Sequence, residues 1–218
     1  MKQFFKNNGL SIVFVFLFLI SLVGQTYTGL SEYNKELTDA GAAAVSLTAY
    51  LSSGHFLQAT FENWESEFLQ MALFVWLTIF LKQKGSSESK KFDGTDQVDR
   101  EPSTRRRNAP WPVKKGGVWL AMYKHSLGFA LIVLYLASFA LHFYGSLKDE
   151  NVQHELKQQP LETASAYIFD SRLWFESFQN WQSEFLSVFA IVGLSIYLRE
   201  QGSAQSKPVD ASHDQTGE

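Results

Sequence analysis

Four apolar segments interrupt an otherwise polar chain. Residues 7–31 carry no charge, and residues 10–27 are nearly continuous Leu, Ile, Val and Phe. Residues 126–146 form a second uncharged stretch of the same kind. A helix needs about 20 apolar residues to cross the hydrocarbon layer of a membrane, so both are expected to span. The segments 68–81 and 185–198 are shorter, at 14 residues each. At 1.5 Å per residue each covers roughly 21 Å, about 9 Å less than the membrane core. If these helices also span, they must extend upstream or the bilayer must thin.

The residues directly upstream are a repeated motif. Phe-Glu-Asn-Trp-Glu-Ser-Glu-Phe-Leu occupies 61–69, and Phe-Gln-Asn-Trp-Gln-Ser-Glu-Phe-Leu occupies 178–186. At an offset of 117 residues, Asn34 falls on Asn151 and Tyr50 on Tyr167, and 15 of the 30 positions from 61 to 90 are identical without a gap. Identity this long inside one chain marks an internal duplication. The unit is helix, loop, motif, helix. Gly85 and Gly202 follow basic ends in both copies, as expected of a helix stop.

The expected architecture is an all-α membrane protein. Four transmembrane helices form two tandem two-helix repeats, related by a pseudo-two-fold axis along the membrane normal. Repeat 1 covers 1–90, with spans near 9–30 and 61–84. Residues 91–117 are expected to be a flexible basic linker. Repeat 2 covers 118–203, with spans near 118–146 and 178–201. Residues 204–218 are expected to be disordered. Within the first outer loop, residues 42–50 have helical composition and suit a short helix on the membrane surface. The basic start followed by an apolar run resembles a signal peptide, but no small-x-small cleavage site follows, so the first segment is read as a retained anchor.

Charge orients these elements. Residues 82–124 hold 11 Lys/Arg against five Asp/Glu, whereas 32–67 hold one Lys and six acids and 148–184 hold three basic residues and seven acids. Basic loops stay in the cytoplasm, so both termini are expected inside and the two acidic loops outside. Arg105, Arg106, Arg107, Lys114 and Lys115 are expected to meet anionic lipid headgroups. Nucleic acid is not an expected partner, since no binding fold surrounds these cations. Trp64, Trp181, Trp111 and Trp119 are expected anchors at the membrane interface, where indole is favoured.

On a helix, Asn63, Ser66, Glu67 and Gln70 share a face by i, i+3, i+4 spacing, and Asn180, Ser183 and Glu184 repeat it. The expectation is that this face turns into the bundle while Phe61, Trp64 and Phe68 turn to lipid. A carboxylate held below the membrane surface needs a partner, a proton or water. Glu67 and Glu184, brought together by the duplication, would form a polar or ion site with Asn63, Asn180, Ser66 and Ser183 as neutral ligands. The plainer account is that these groups cap and join helices, with the carboxylates accepting from backbone or from Arg172. His142 and His55 have no metal-binding spacing, and the expected role of such scattered histidines is interfacial hydrogen bonding.

Composition narrows the chemistry further. With no Cys, disulfides, thiolate metal sites and Cys nucleophiles are excluded. The sequence has no GxSxG elbow and no Gly-rich phosphate loop. No catalytic residue, metal or cofactor is expected. The function expected is a non-enzymatic structural or regulatory membrane component, with a small permease or ion- or proton-conducting protein as the alternative. A bundle of four helices is narrow, so transport would call for a homo-oligomer.

The chain resembles a family of bacterial four-helix membrane proteins known only as a domain of unknown function. The residues carrying this are Asn8-Gly9-Leu10-Ser11, Ser53-Gly54-His55-Phe56, 61–69, Trp111-Pro112-Val113, 174–186 and 199–202. The resemblance implies a bacterial inner-membrane location and no particular activity.

Overall fold

The apolar runs contain no Pro to break an i to i−4 ladder, and each lies in a helix of the computed structural model, which describes residues 2–217. Residues 1 and 218, the ends of the expected first repeat and tail, lie outside the described residues. In chain order the helices are α1 (Lys2–Asp39), α2 (Leu47–Tyr50), α3 (Gly54–Phe80), α4 (Trp111–Lys115), α5 (Gly117–Lys124), α6 (Ser126–Leu156), α7 (Ala164–Tyr167) and α8 (Ser171–Tyr197). No strand occurs among the described residues. Among the described residues, two helices, α1 and α6, are long and apolar enough to cross a membrane.

The other two long helices, α3 and α8, have 27 residues each, about 40 Å of helix. Both start upstream of the motif, so the motif is helical throughout. Their starts are fixed by side chains: Ser53 Oγ accepts the Phe56 N–H at 3.1 Å, and Asp170 Oδ1 accepts the Arg172 N–H at 2.7 Å. Their ends fall at Phe80 and Tyr197, before the basic residues rather than after them. At α8 the Arg199 guanidinium donates to the Ser195 and Ile196 carbonyls at 3.1 and 3.2 Å, taking over the acceptors a further turn would use. Gly85 and Gly202 do take positive φ, both +85°, but within the turn that follows.

The chain divides into two units. One comprises Met1–Phe61 and Ala140–Leu173, the other Glu62–Phe139 and Trp174–Glu218. In the first unit, Tyr33, Leu37 and Tyr50 form a buried cluster that Leu30, Phe56, Val152 and Leu156 complete. Asn34 clasps the backbone of Val45 with two hydrogen bonds, at 3.1 and 2.6 Å. Asn151 makes the same pair to Glu162, at 3.2 and 2.7 Å. Ser46 caps α2 and Thr163 caps α7 in the same way. Each of these features in one copy therefore recurs 117 residues later in the other. Helices α3 and α6 cross closely at Gly54 and Gly145: a Cβ on Gly54 would meet the Asp149 backbone, and one on Gly145 the Gln58 backbone.

In the second unit the stretch expected to be a loose tail is folded back as a strap. Its polar composition reads as solvated, but its carbonyls are used internally. Lys207 Nζ, buried, donates to the carbonyls of Ser212, His213 and Gln215 at 3.2, 3.1 and 2.9 Å. Burial, and then the nearby Arg199, draw its pKa below the usual lysine value. The strap ties to the turn after α3, where Gly85 N–H donates to Thr216 Oγ1 at 2.8 Å and Gly217 N–H to the Ser86 carbonyl at 2.9 Å. The stretch expected to be a flexible linker likewise holds a short 3-10 turn, Gln97–Asp99, and α4.

Burial runs opposite to that of a water-soluble protein, in which large apolar side chains fill the interior. Among the described residues, seven apolar side chains are buried against fourteen polar or charged ones, mostly Ser and Thr. The apolar side chains of α1 from Val13 to Ile20 are all exposed.

Candidate functional site

Within the second unit, α3 and α8 bring carboxyl groups together. Those of Glu67 and Glu184 interact with one another. Carboxylate oxygens of Glu62 and Glu176 lie within 4.8 Å of one another. Between these pairs Glu65, fully buried, accepts the Trp181 indole N–H at 2.9 Å.

The inward face of α3 keeps Ser66 and Gln70 of the expected set but not Asn63 and Glu67. Glu65, Ser66, Gln70 and Ala72 are buried, while Asn63 and Glu67 are exposed. At 100° per residue Glu67 sits about 200° round the helix from Glu65, so the buried face is rotated toward Glu65. On α8, Leu173, Ser177 and Ser195 are buried, Asn180 and Glu184 are half-buried, and Ser183 is exposed. Three of the four expected neutral ligands, Ser66, Ser183 and Asn180, bond within their own helices. Ser66 Oγ donates to the Asn63 carbonyl and Ser183 Oγ to the Asn180 carbonyl, both at 2.8 Å, and Asn180 Nδ2 donates to the Glu176 carbonyl at 3.0 Å. Back-bonding of this kind satisfies the hydroxyl or amide and leaves less for a bound ion.

The four tryptophans separate into two kinds. Trp181 is half-buried, meets Trp174 and Phe178 edge to face with centroids at 6.5 and 5.3 Å, and is tied to Glu65. That indole N–H is committed inside the protein instead of to an interface. Trp64 is also half-buried. Trp111 and Trp119 are exposed and meet edge to face at 5.2 Å, with Lys115 Nζ over both rings at 4.8 and 4.7 Å.

The first unit holds a charge network that the sequence reading passed over. Arg172 donates to Asp149 at 2.8 Å, to Gln58 at 3.1 Å, and to Glu150. His154 reaches Glu150 at 3.1 Å through Nε2 and the Pro160 carbonyl at 2.6 Å through Nδ1. Asp149 is buried at the Gly54–Gly145 crossing, and its Oδ1 has no hydrogen-bond partner among the described residues. Nearby, Tyr50 bonds His55 Nδ1 at 3.2 Å. Burial first, and then the charge of Asp149, push the Tyr50 phenol above its usual pKa. Arg172, expected as a donor to the motif carboxylates, thus serves Asp149 and Glu150.

A family model matches residues 1–218. The chain belongs to DUF6766, a domain of unknown function. No curated protein and no solved structure matches it. Membership in DUF6766 assigns no chemistry, so any function for this member of the family has to be argued from the carboxyl pairs, the charge network and the burial pattern.

Proposed function

We propose that this chain is a multi-pass membrane protein with a non-enzymatic, structural or regulatory role. The observation that carries this reading is the inverted burial: small polar side chains inside, large apolar ones outside. In lipid such an arrangement is favourable, because helices associate through close packing and hydrogen bonds. Four crossings follow if α3 and α8, each about 40 Å long, span beside α1 and α6. The recurrence of elements and hydrogen bonds at 117 residues supports two tandem repeats about an axis along the membrane normal. The excess of Lys and Arg between the two copies supports a topology with both termini in the cytoplasm, and the membrane proposed is a bacterial inner membrane. On this account the motif joins helices, as the Glu65–Trp181 bond does.

A second reading draws on the interacting carboxyls of Glu67 and Glu184. A hydrogen bond between two carboxyls needs a proton on one of them, and a shared proton can be exchanged or replaced by a cation. The chain would then conduct protons or cations, as a homo-oligomer if the single bundle is too narrow.

Ion and proton flux in proteoliposomes separates the two readings, with wild type compared against Glu67→Gln combined with Glu184→Gln. The preferred reading expects flux no greater than in empty vesicles from either protein, and a distinct protein crosslinked to the chain in native membranes. Wild-type flux that disappears in the double variant establishes the second reading. Flux retained at full rate in the double variant eliminates the carboxyl pair as its route.

A further inference from the structure

Eleven consecutive residues, 105–115, contain Arg105, Arg106, Arg107, Lys114 and Lys115 and no acid. The three arginines and both lysines are exposed. None of the five has a carboxylate within salt-bridge distance among the described residues; the nearby Glu101 pairs with Lys124 at 3.5 Å instead. Lys114 Nζ donates to the Arg107 carbonyl at 2.9 Å, which ties the arginine run to α4. Helices α4 and α5 pack on each other through the turn at Gly116 and Gly117, and this folding sets Trp111 and Trp119 edge to face with Lys115 Nζ over both rings. Further large apolar side chains follow: Val118, Trp119 and Met122 on α5, then Leu127 and Phe129 on α6, are all exposed.

We propose that α4, α5 and the arginine run form a docking surface for anionic phospholipid, with Lys115, over its two indoles, as the phosphate contact. The inference rests on the membrane reading above. Two features together select this occupant. Five unanswered cations call for a polyanionic partner, and the exposed indoles and aliphatic side chains beside them call for acyl chains and an interface. A lipid with a charged headgroup supplies both, whereas a soluble polyanion would leave the apolar strip in water. Arg and Lys near a membrane surface each add to the attraction for anionic lipid, and Trp prefers headgroup depth. A cation already held over two ring faces keeps its ammonium facing outward with little freedom to lose on binding.

The test uses the full chain in phosphatidylcholine nanodiscs, with either brominated phosphatidylglycerol or brominated phosphatidylcholine added at the same mole fraction. Bromine quenches tryptophan on contact. The anionic lipid is expected to quench several-fold more than the neutral one. That excess should vanish in high salt, in W111F/W119F, and in the variant with all five cations changed to Gln. Equal quenching by both lipids in the wild type, or an excess that survives the five-Gln change, overturns the docking surface and leaves the membrane reading intact. An RNA oligomer that shifts Trp111 emission while the two lipids quench alike overturns it in favour of nucleic acid. A chain that neither lipid quenches overturns the membrane reading itself.

Discussion

In the first copy of the repeat, the Tyr50 hydroxyl lies where a side chain on Gly29 would sit, and it bonds His55 at 3.2 Å. In the second copy the position of Gly29 is taken by Ser146, whose Oγ bonds the Tyr167 hydroxyl at 2.6 Å. The register of His55 is taken by Arg172, and that of Glu32 by Asp149. Glu32 is an exposed acid beside Lys35 at 3.8 Å, whereas Asp149 is buried. What the copies share is backbone management: the Asn34 and Asn151 clasps, the Ser46 and Thr163 caps. They differ where side chains carry charge into the interior. Duplication supplied a scaffold twice, and the second copy alone placed a buried ion pair on it. In the motif the difference runs the other way, since Glu65 of the first copy is buried while its counterpart Gln182 is exposed.

Exchanging residues between the copies tests whether these differences matter. The largest effect is expected at Arg172. Arg172→His installs the first copy's residue and strands the buried carboxylate of Asp149. Removing one member of a buried pair typically costs about 3–5 kcal/mol. The His55→Arg exchange, at a register whose nearby acid is exposed, should cost far less. Thermal unfolding in detergent reads both; equal losses would mean that the two sites are not chemically distinct.

Gly54→Ser comes next. The second copy has Ser171 at this register and tolerates it. At position 54 a Cβ would press on the backbone of Asp149, and backbone cannot rotate aside as a side chain end can. Forcing atoms into a packed contact costs about 1–3 kcal/mol. Ser171→Gly should change stability by about 1 kcal/mol or less, through helix propensity alone. If Gly54→Ser is as mild as Ser171→Gly, the close crossing of α3 and α6 is not needed.

The difference between the copies also explains what could be read from sequence. Apolar runs without Pro announce helices, and the helical character of the chain follows from them directly. The upstream extension of α3 and α8 was legible as a length argument, because 14 apolar residues are too few to span. Recurrence marks Glu67 and Glu184, because it marks what both copies keep. Glu65 escaped notice for the converse reason: it stands where the copies disagree, Glu against Gln. Which arc of α3 is buried depends on the helix opposite it, and spacing along one helix cannot fix that rotation. The strap escaped because Lys207 answers backbone carbonyls, which leave no trace in side-chain pattern. Its counterpart Lys90, paired with Asp99 at 2.9 Å, is the arrangement charge counting would suggest.

The smallest expected effect has the opposite sign. Helix α1 is closed by Gly41, two residues past its end, with φ +80°, and the Ala42 N–H returns to the Leu37 carbonyl at 2.8 Å. Helix α6 ends the same way 117 residues later, where the Gln159 N–H returns to the His154 carbonyl at 2.8 Å. The turning residue there is Gln158, at φ +54°. This closure needs a left-handed residue, which glycine supplies without steric penalty. A residue with a Cβ loses about 1–2 kcal/mol in that conformation. Glycine also frees the unfolded chain, which takes back part of the gain. Gln158→Gly is therefore expected to stabilise the protein by about 1 kcal/mol, and Gly41→Gln to destabilise it by a similar amount. The reciprocal pair, measured as shifts in unfolding midpoint, isolates the backbone from every side-chain difference between the copies. A loss of stability in Gln158→Gly would mean that the Gln158 side chain holds the α6 terminus through contacts of its own, and that the two caps are alike only in their backbone.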